Sequence, residues 1–273
     1  MMIAPAVALR DVTCRFHTTR ALKDGIPAYV AVDQTSLKIA NGEFVSVIGP
    51  TGCGKSTLLN VTAGLLKPSE GSVEIFGDIL RGLNAKAGYM FQADSLLPWR
   101  TALENVTLGL EYRRVPAPEA TAHAMEWLDR VGLGGFGDRY PHQLSGGMRK
   151  RVSLAQMLIL DPKILLMDEP FSALDVQTRV LMENELLELW SADRKSVLFI
   201  THDLEEAIAL SDRVIALSAG PGTHPIGEWA IDLPRPRDIA EIRLAPRFVE
   251  LHRLIWETMK EEVLKGYVQS QRK

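Results

Sequence analysis

The eight residues Gly49-Pro50-Thr51-Gly52-Cys53-Gly54-Lys55-Ser56 constrain the chain more than any other feature, because this pattern works only with a strand before it and a helix after it. The flanks comply. Glu43 to Ile48 reads as a short β-branched strand, and Ser56 to Ala63 as a helix that Gly64 and Pro68 bring to a stop. Glycines let successive backbone N–H groups turn toward one point, where the helix N-terminus adds its partial positive charge. Such a loop cradles phosphate. Lys55 offers a point charge to β- and γ-phosphates, the Ser56 hydroxyl is suited to Mg²⁺, and Thr57 follows in the same first turn. The competing reading, a flexible glycine turn, does not account for the strand and helix on either side.

The rest of the chain continues the rhythm. Ile164 to Met167, Val197 to Ile200 and Val214 to Leu217 are short apolar runs bounded by polar, Gly or Pro residues, as buried parallel strands are. Val176 to Trp190 has the length and apolar spacing of a helix between two of them. Strands alternating with helices predict a parallel α/β sheet. From about Leu103 to Ser153 the alternation breaks, since Ala117 to Val131 and Met148 to Ile159 both read as helical with no strand between them. This segment is an expected helical insertion, with Pro116 and Pro118 opening its first helix and Gly132, Gly134, Gly135 and Gly137 ending it. Phe248, Leu251, Leu254, Ile255, Met259 and Val263 recur at helical spacing near the end, which predicts a closing helix docked on its own domain; a regulatory role stays open.

Two further clusters carry chemistry. Ile164-Leu165-Leu166-Met167-Asp168-Glu169 delivers two carboxylates at the C-terminal end of a strand, the edge at which open α/β sheets bind ligands. Adjacent residues on an extended chain point apart, so Asp168 is suited to orient Mg²⁺ and Glu169 to polarise an attacking water. Alone, the pair reads as a solvated strand end; beside a phosphate loop it reads as a site. Leu144-Ser145-Gly146-Gly147-Met148 opens the second insertion helix, with Ser145 as expected N-cap and Gly146 and Gly147 leaving backbone N–H groups bare. That is a second anion site without a lysine, sensible if it closes on a phosphate held elsewhere.

Composition narrows the partners. A formal net charge of -3 gives no electrostatic footprint for nucleic acid. Cys14 and Cys53 form neither a metal-ligand spacing nor a disulfide framework. No stretch approaches the ~18 apolar residues of a spanning helix, and the opening residues do not read as a secretory signal. The expected place is the cytoplasm, with any membrane contact made through a partner.

Together these elements resemble the ATP-binding subunit of ABC transporters across nearly the whole chain. The family's motifs occur in its order: the phosphate loop or Walker A motif at Gly49 to Ser56, Gln92 in Phe91-Gln92, the signature Leu144 to Met148, the strand ending in Asp168-Glu169, Ser172-Ala173-Leu174-Asp175, and His202 in Thr201-His202-Asp203. The resemblance implies an α/β P-loop NTPase core with a mostly parallel sheet, an antiparallel β region at the N-terminus and an inserted α-helical subdomain. It sets expected boundaries at 1–92 and 161–224 for the two parts of the core, 93–160 for the helical subdomain and 225–273 for the C-terminal extension. It further implies ATP hydrolysis with Mg²⁺, and a homodimer in which ATP lies between one copy's phosphate loop and the other's signature. Gln92 then touches Mg²⁺ and the attacking water, Asp175 lines the dimer seam, and His202 holds the γ-phosphate and Glu169. Adenine stacks on an upstream aromatic, for which Phe16 matches best and Tyr29 competes. Met148 stands where the family commonly has Gln.

Two stretches resemble the nitrate, sulfonate and taurine branch: Gln92 through Leu96-Leu97-Pro98-Trp99 to Glu104-Asn105-Val106, and Asp232-Leu233-Pro234-Arg235-Pro236-Arg237-Asp238. In that branch the cassette serves a bacterial importer at the cytoplasmic face of the inner membrane, with separate permease subunits and a periplasmic solute-binding protein. Leu96, Leu97 and Trp99 suit a permease contact and equally suit packing inside the insertion. Two rival readings remain, a soluble ABC ATPase acting on DNA or ribosomes and a nucleotide-gated binding module without turnover. The first is opposed by the mild acidity and absence of a long heptad arm, the second by the presence of Glu169 and His202.

Overall fold

The computed structural model describes residues 4–17, 28–172 and 174–270. Ala173 and most of the connection between Phe16 and Tyr29 therefore lie outside the described residues. The chain divides into two compact units, one formed by residues 1–85 with 194–273 and the other by 86–193.

The first unit holds an antiparallel and a mostly parallel β region, as expected. β1 (Val7–Phe16) pairs antiparallel with β2 (Tyr29–Ile39) and with β4 (Glu70–Ile75), which pairs with the short β5 (Asp78–Ile79). β3 (Phe44–Ile48) is buried at every position, Ser46 included, as its otherwise apolar and β-branched character requires of a strand covered on both faces. It runs parallel to β8 (Ser196–Ile200) on one side and β9 (Arg213–Leu217) on the other, and β10 (Pro225–Ala230) adds antiparallel to β9. Between β3 and β4 lies α1 (Lys55–Thr62).

At the far end of this unit the short α7 (Ile239–Ile242) is followed by α8 (Pro246–Ser270), the last described element. Phe248, Leu251, Ile255 and Met259 are buried, each contributing about 1.5–3 kcal/mol through its removal from water. Leu254 does not join them. Its spacing fits the apolar stripe, but it is 46% exposed because it sits one residue before Ile255, about 100° around the helix from the centre of the buried face.

In the second unit β6 (Ala87–Met90) runs parallel to β7 (Ile164–Asp168), and the helices α2 (Ala102–Tyr112), α3 (Ala117–Arg130) and α4 (Gly146–Leu158) enclose a separate core. Ala120 and Ala124, one turn apart on α3, are fully covered, and their small size lets neighbouring side chains such as Val106 and Val152 close in. Pro116 caps α3 and Pro118 follows inside its first turn. Helix α2 was not legible as a helix in its own right. Its start is a capping box, in which Glu104 N–H donates to Thr101 Oγ1 at 3.2 Å and Thr101 N–H to Glu104 Oε2 at 2.8 Å. α5 (Val176–Ala192) completes the unit.

Candidate active site

In the first unit the phosphate loop joins β3 to α1. Gly54, the N-cap of α1, has φ +116°, which requires glycine, and a Cβ there would also crowd the Ala31 carbonyl oxygen on β2 at 3.1 Å. No side chain caps α1 and no acidic residue occupies its first turn, so its positive end stays uncompensated. Lys55 is 5% exposed and folds back over the loop, donating to the carbonyls of Gly49 at 2.8 Å and Pro50 at 3.1 Å. Ser56 and Thr57 follow on the first turn, Ser56 exposed. Burial pushes the Cys53 thiol up, against the pull of the Lys55 ammonium.

His202 belongs to the same sheet edge. Val47 on β3 registers with Ile200 on β8, so Gly49 and His202 each lie two residues beyond a shared pair. The Thr201 N–H donates to the Val47 carbonyl at 3.3 Å, and Asp203 caps α6 (Leu204–Leu210) by accepting from Glu205 and Glu206 N–H, which leaves His202 exposed at the strand end. Phe16 and Tyr29, the two candidates for stacking on adenine, are cross-strand partners at one end of the β1–β2 hairpin, 41% and 44% exposed. From Tyr29 the strand reaches Ala31 and Val32, against which Gly54 packs. The Tyr29 hydroxyl lies 3.4 Å from a Cβ placed on Gly220, the residue that also approaches Cys53 of the phosphate loop.

In the second unit β7 ends in Asp168, which is buried, and Glu169, whose φ of +44° places a non-glycine residue in the left-handed region. The Ser172 hydroxyl and N–H both donate to the Glu169 carbonyl at 2.9 and 3.3 Å, holding that turn. Gln92 donates from Nε2 to Glu169 Oε2 at 3.2 Å. Lys150, on α4, donates to the Gln92 carbonyl at 2.7 Å and pairs with Asp94 at 3.3 Å, while Arg149 pairs with the other Asp94 oxygen at 2.7 Å. Sequence reasoning missed this tie between the Gln92 segment and the helix of the signature. Its only signal was three consecutive basic residues after Met148, Arg149-Lys150-Arg151. Burial, reinforced by the Asp168 carboxylate, holds the Tyr89 phenol above its usual range and therefore neutral.

The start of α4 is built as expected, with Ser145 Oγ accepting from Met148 N–H at 3.2 Å. Gly146 is exposed, and a Cβ there would stand 3.9 Å from the Arg149 guanidinium. Gly147 is buried against Thr178, where a Cβ would come within 2.6 Å of a methyl group. Thr178 is also the residue that Asp175 caps, its N–H donating at 3.0 Å and its hydroxyl at 2.7 Å, and these bonds hold the Asp175 carboxyl below its ordinary range. The structure therefore brings Ser145, Gly146, Gly147 and Asp175 together, and separately Gln92, Asp168 and Glu169 around the end of β7.

Residues 32–172 match the family model described as ABC transporter. The chain belongs to the ABC transporter family. The cassette is similar to an ABC transporter ATP-binding protein of Methanocaldococcus jannaschii, 49% identical over 237 residues that make up 86% of each chain. It is also similar to a taurine import ATP-binding protein of Pelagibacter ubique, 38% identical over 92% of this chain and 93% of that one. Among solved structures, a dimer of the ATP-binding cassette MJ0796 bound to ADP and Pi superposes with a TM-score of 0.73 at 34% identity, covering 84% of this chain and all of that one. The fold and family that the ordered motifs led us to expect are those found, and the chain is an ATP-binding cassette ATPase.

Proposed function

We propose that the cassette is the ATP-hydrolysing subunit of a bacterial importer, working as a homodimer on the cytoplasmic face of the inner membrane and driving a separate permease fed by a periplasmic solute-binding protein. The observation that carries the dimer is the presence of two glycine-opened helix starts, α1 with Lys55 folded over its loop and α4 whose Lys150 is engaged by Gln92 and Asp94 instead. Such a pair is complete only when the second, from another copy, closes on a triphosphate held by the first. The dimeric state of the similar cassette MJ0796 supports this. Similarity to taurine import ATP-binding proteins of Pelagibacter ubique and Yersinia pestis, the latter 46% identical over 70% of this chain, supports cargo of the taurine, sulfonate or nitrate kind.

In this reading the backbone of Gly49 to Ser56, with Pro50, Thr51, Gly52, Cys53, Gly54 and Thr57, surrounds the phosphates, and Lys55 turns from its own carbonyls to the β- and γ-oxygens. Ser56, Gln92 and Asp168 offer a hydroxyl, an amide carbonyl and a carboxylate, the hard oxygen donors that suit Mg²⁺. Bound there, Mg²⁺ neutralises charge on the phosphates. Glu169 accepts a proton from the attacking water, Gln92 orients that water through its contact with Glu169, and His202 donates to the γ-phosphate. Phe16 or Tyr29 stacks on adenine. Ser145, Gly146, Gly147 and Asp175 act on the nucleotide of the facing copy.

Replacing Glu169→Gln is expected to lower ATP turnover by roughly 10²- to 10⁴-fold while leaving ATP affinity intact, the signature of a lost general base. Undiminished phosphate release by that variant would refute the role.

A further inference from the structure

The turn between β9 and β10, residues 218–224, does more than join two strands. Its backbone is laced to β2: Gly222 N–H donates to the Val30 carbonyl at 2.7 Å, Thr223 N–H to Ala31 at 3.2 Å, and Asp33 N–H returns to the Thr223 carbonyl at 3.0 Å. The Thr35 hydroxyl adds a second bond to that carbonyl at 3.0 Å. Thr223 is completely buried, and its hydroxyl donates to the carbonyl of Cys53, in the middle of the phosphate loop. Gly220 lies over the same residue, where a Cβ would stand 3.6 Å from Cys53 Cα.

Helix α8 holds this turn from outside. Glu262 accepts from Ala219 N–H at 2.7 Å and is itself paired with Lys265 at 2.6 Å. One turn further, Gly266 passes directly over Pro50; a Cβ there would lie 2.8 Å from the Pro50 ring, so only glycine permits the approach. The last turns of the chain thus sit on the phosphate loop and on the turn that supports it, all within one unit.

We infer that Thr223 is a positioning residue for the phosphate loop, and that α8 holds it in place through Glu262. A trans peptide is planar, with its C=O and N–H pointing in opposite directions. Fixing the Cys53 carbonyl toward Thr223 therefore aims the Gly54 N–H the other way, to the side on which the loop takes its anion. An N–H aimed before the ligand arrives binds phosphate without the cost of ordering the peptide at that moment. The inference rests on the reading that Gly49 to Ser56 is the triphosphate site.

The test compares Thr223→Val, which keeps the shape and removes the hydroxyl, with Thr223→Ser, which keeps the hydroxyl. The valine variant is expected to raise the Kd and KM for Mg·ATP about tenfold with kcat lowered less than twofold, and serine to restore both within about twofold. A purely structural threonine would lower Tm without this split. Glu262→Ala leaves the buried hydroxyl in place and loosens only the turn; it is expected to weaken ATP about threefold and decides the matter if the valine variant does not fold. Unchanged ATP affinity in the variants that fold overturns the inference. Lys55→Ala is the control for the underlying site: ATP affinity unaffected by that change removes the site itself, whereas its loss alongside normal binding by Thr223→Val removes only the role of Thr223.

Discussion

Asp168 and Glu169 are neighbours in the chain and differ in nearly everything that determines their chemistry. Asp168 closes a fully buried strand, whereas Glu169 is turned into left-handed backbone, and its carboxylate meets the Gln92 amide. A non-glycine residue held there costs about 1 kcal/mol or more, which the surrounding turn must offset. The strand ending in two acids was legible; the turn that separates them was not, since glutamate is no marker for positive φ. Asp175 shows the same division. Its place before α5 was readable, but its bonds to Thr178 emerge only from the folded cap, and they hold its carboxyl below the ordinary 3.8. A carboxylate whose folded-state pKa is lowered contributes its stabilisation above the unfolded value and loses it as pH falls through the folded one. Asp175→Ala is therefore expected to lower Tm by a few degrees at neutral pH, with the gap to wild type constant down to about pH 4 and closing below 3.8. Thermal unfolding across that range checks it.

Among the elements, the short helices depend most on single side chains. α6 begins at the Asp203 cap immediately after His202, and its other end is finished by a residue far along the chain. The Arg237 guanidinium donates to the carbonyls of Ala209 at 2.9 Å and Ser211 at 2.8 Å, and to Leu233 at 3.0 Å. Burial, with Arg235 nearby, pushes Arg237 down to about 10, so it remains charged at neutral pH. A cation at a helix C-terminus satisfies both the orphan carbonyls and the helix dipole. Arg237→Met, similar in length and unable to donate, is expected to destabilise the cassette by about 2–4 kcal/mol in denaturant titration. The motif containing Arg237 stood out in the sequence as a branch marker. Its structural office could not be read, because the carbonyls it serves are 26 to 28 residues away. Helix α2 was missed for a different reason: its buried face, Ala102, Val106 and Leu110, is short and shared with the polar Asn105 and Thr107, which blurs the apolar stripe.

For the whole molecule, each unit has its own apolar core, and the motifs are shared between them. Among the described residues no helix is long and apolar enough to cross a membrane. Leu96 lies in the core of the second unit and Leu97 is half-buried, while Trp99 is 70% exposed. The two readings of that stretch thus divide by residue, Leu96 to packing and Trp99 to a surface. Under the proposed function, Glu169→Gln is expected to elute as a dimer with Mg·ATP and as a monomer with ADP in size-exclusion chromatography. A monomer under both nucleotides would leave the anion site at the start of α4 without its role.

The sequence by itself determined the family, the fold class and the order of the motifs, because those are carried by local signals: glycines that demand particular backbone, apolar runs with a strand's length, and polar residues at helix starts. Tertiary structure alone decided which groups meet. The bonds from Thr223 to Cys53, Lys150 to Gln92 and Arg237 to Ala209 each join residues far apart in the chain. Such partners follow from packing, in which a buried polar atom takes whichever donor or acceptor the fold delivers, and no pattern along the chain records that choice.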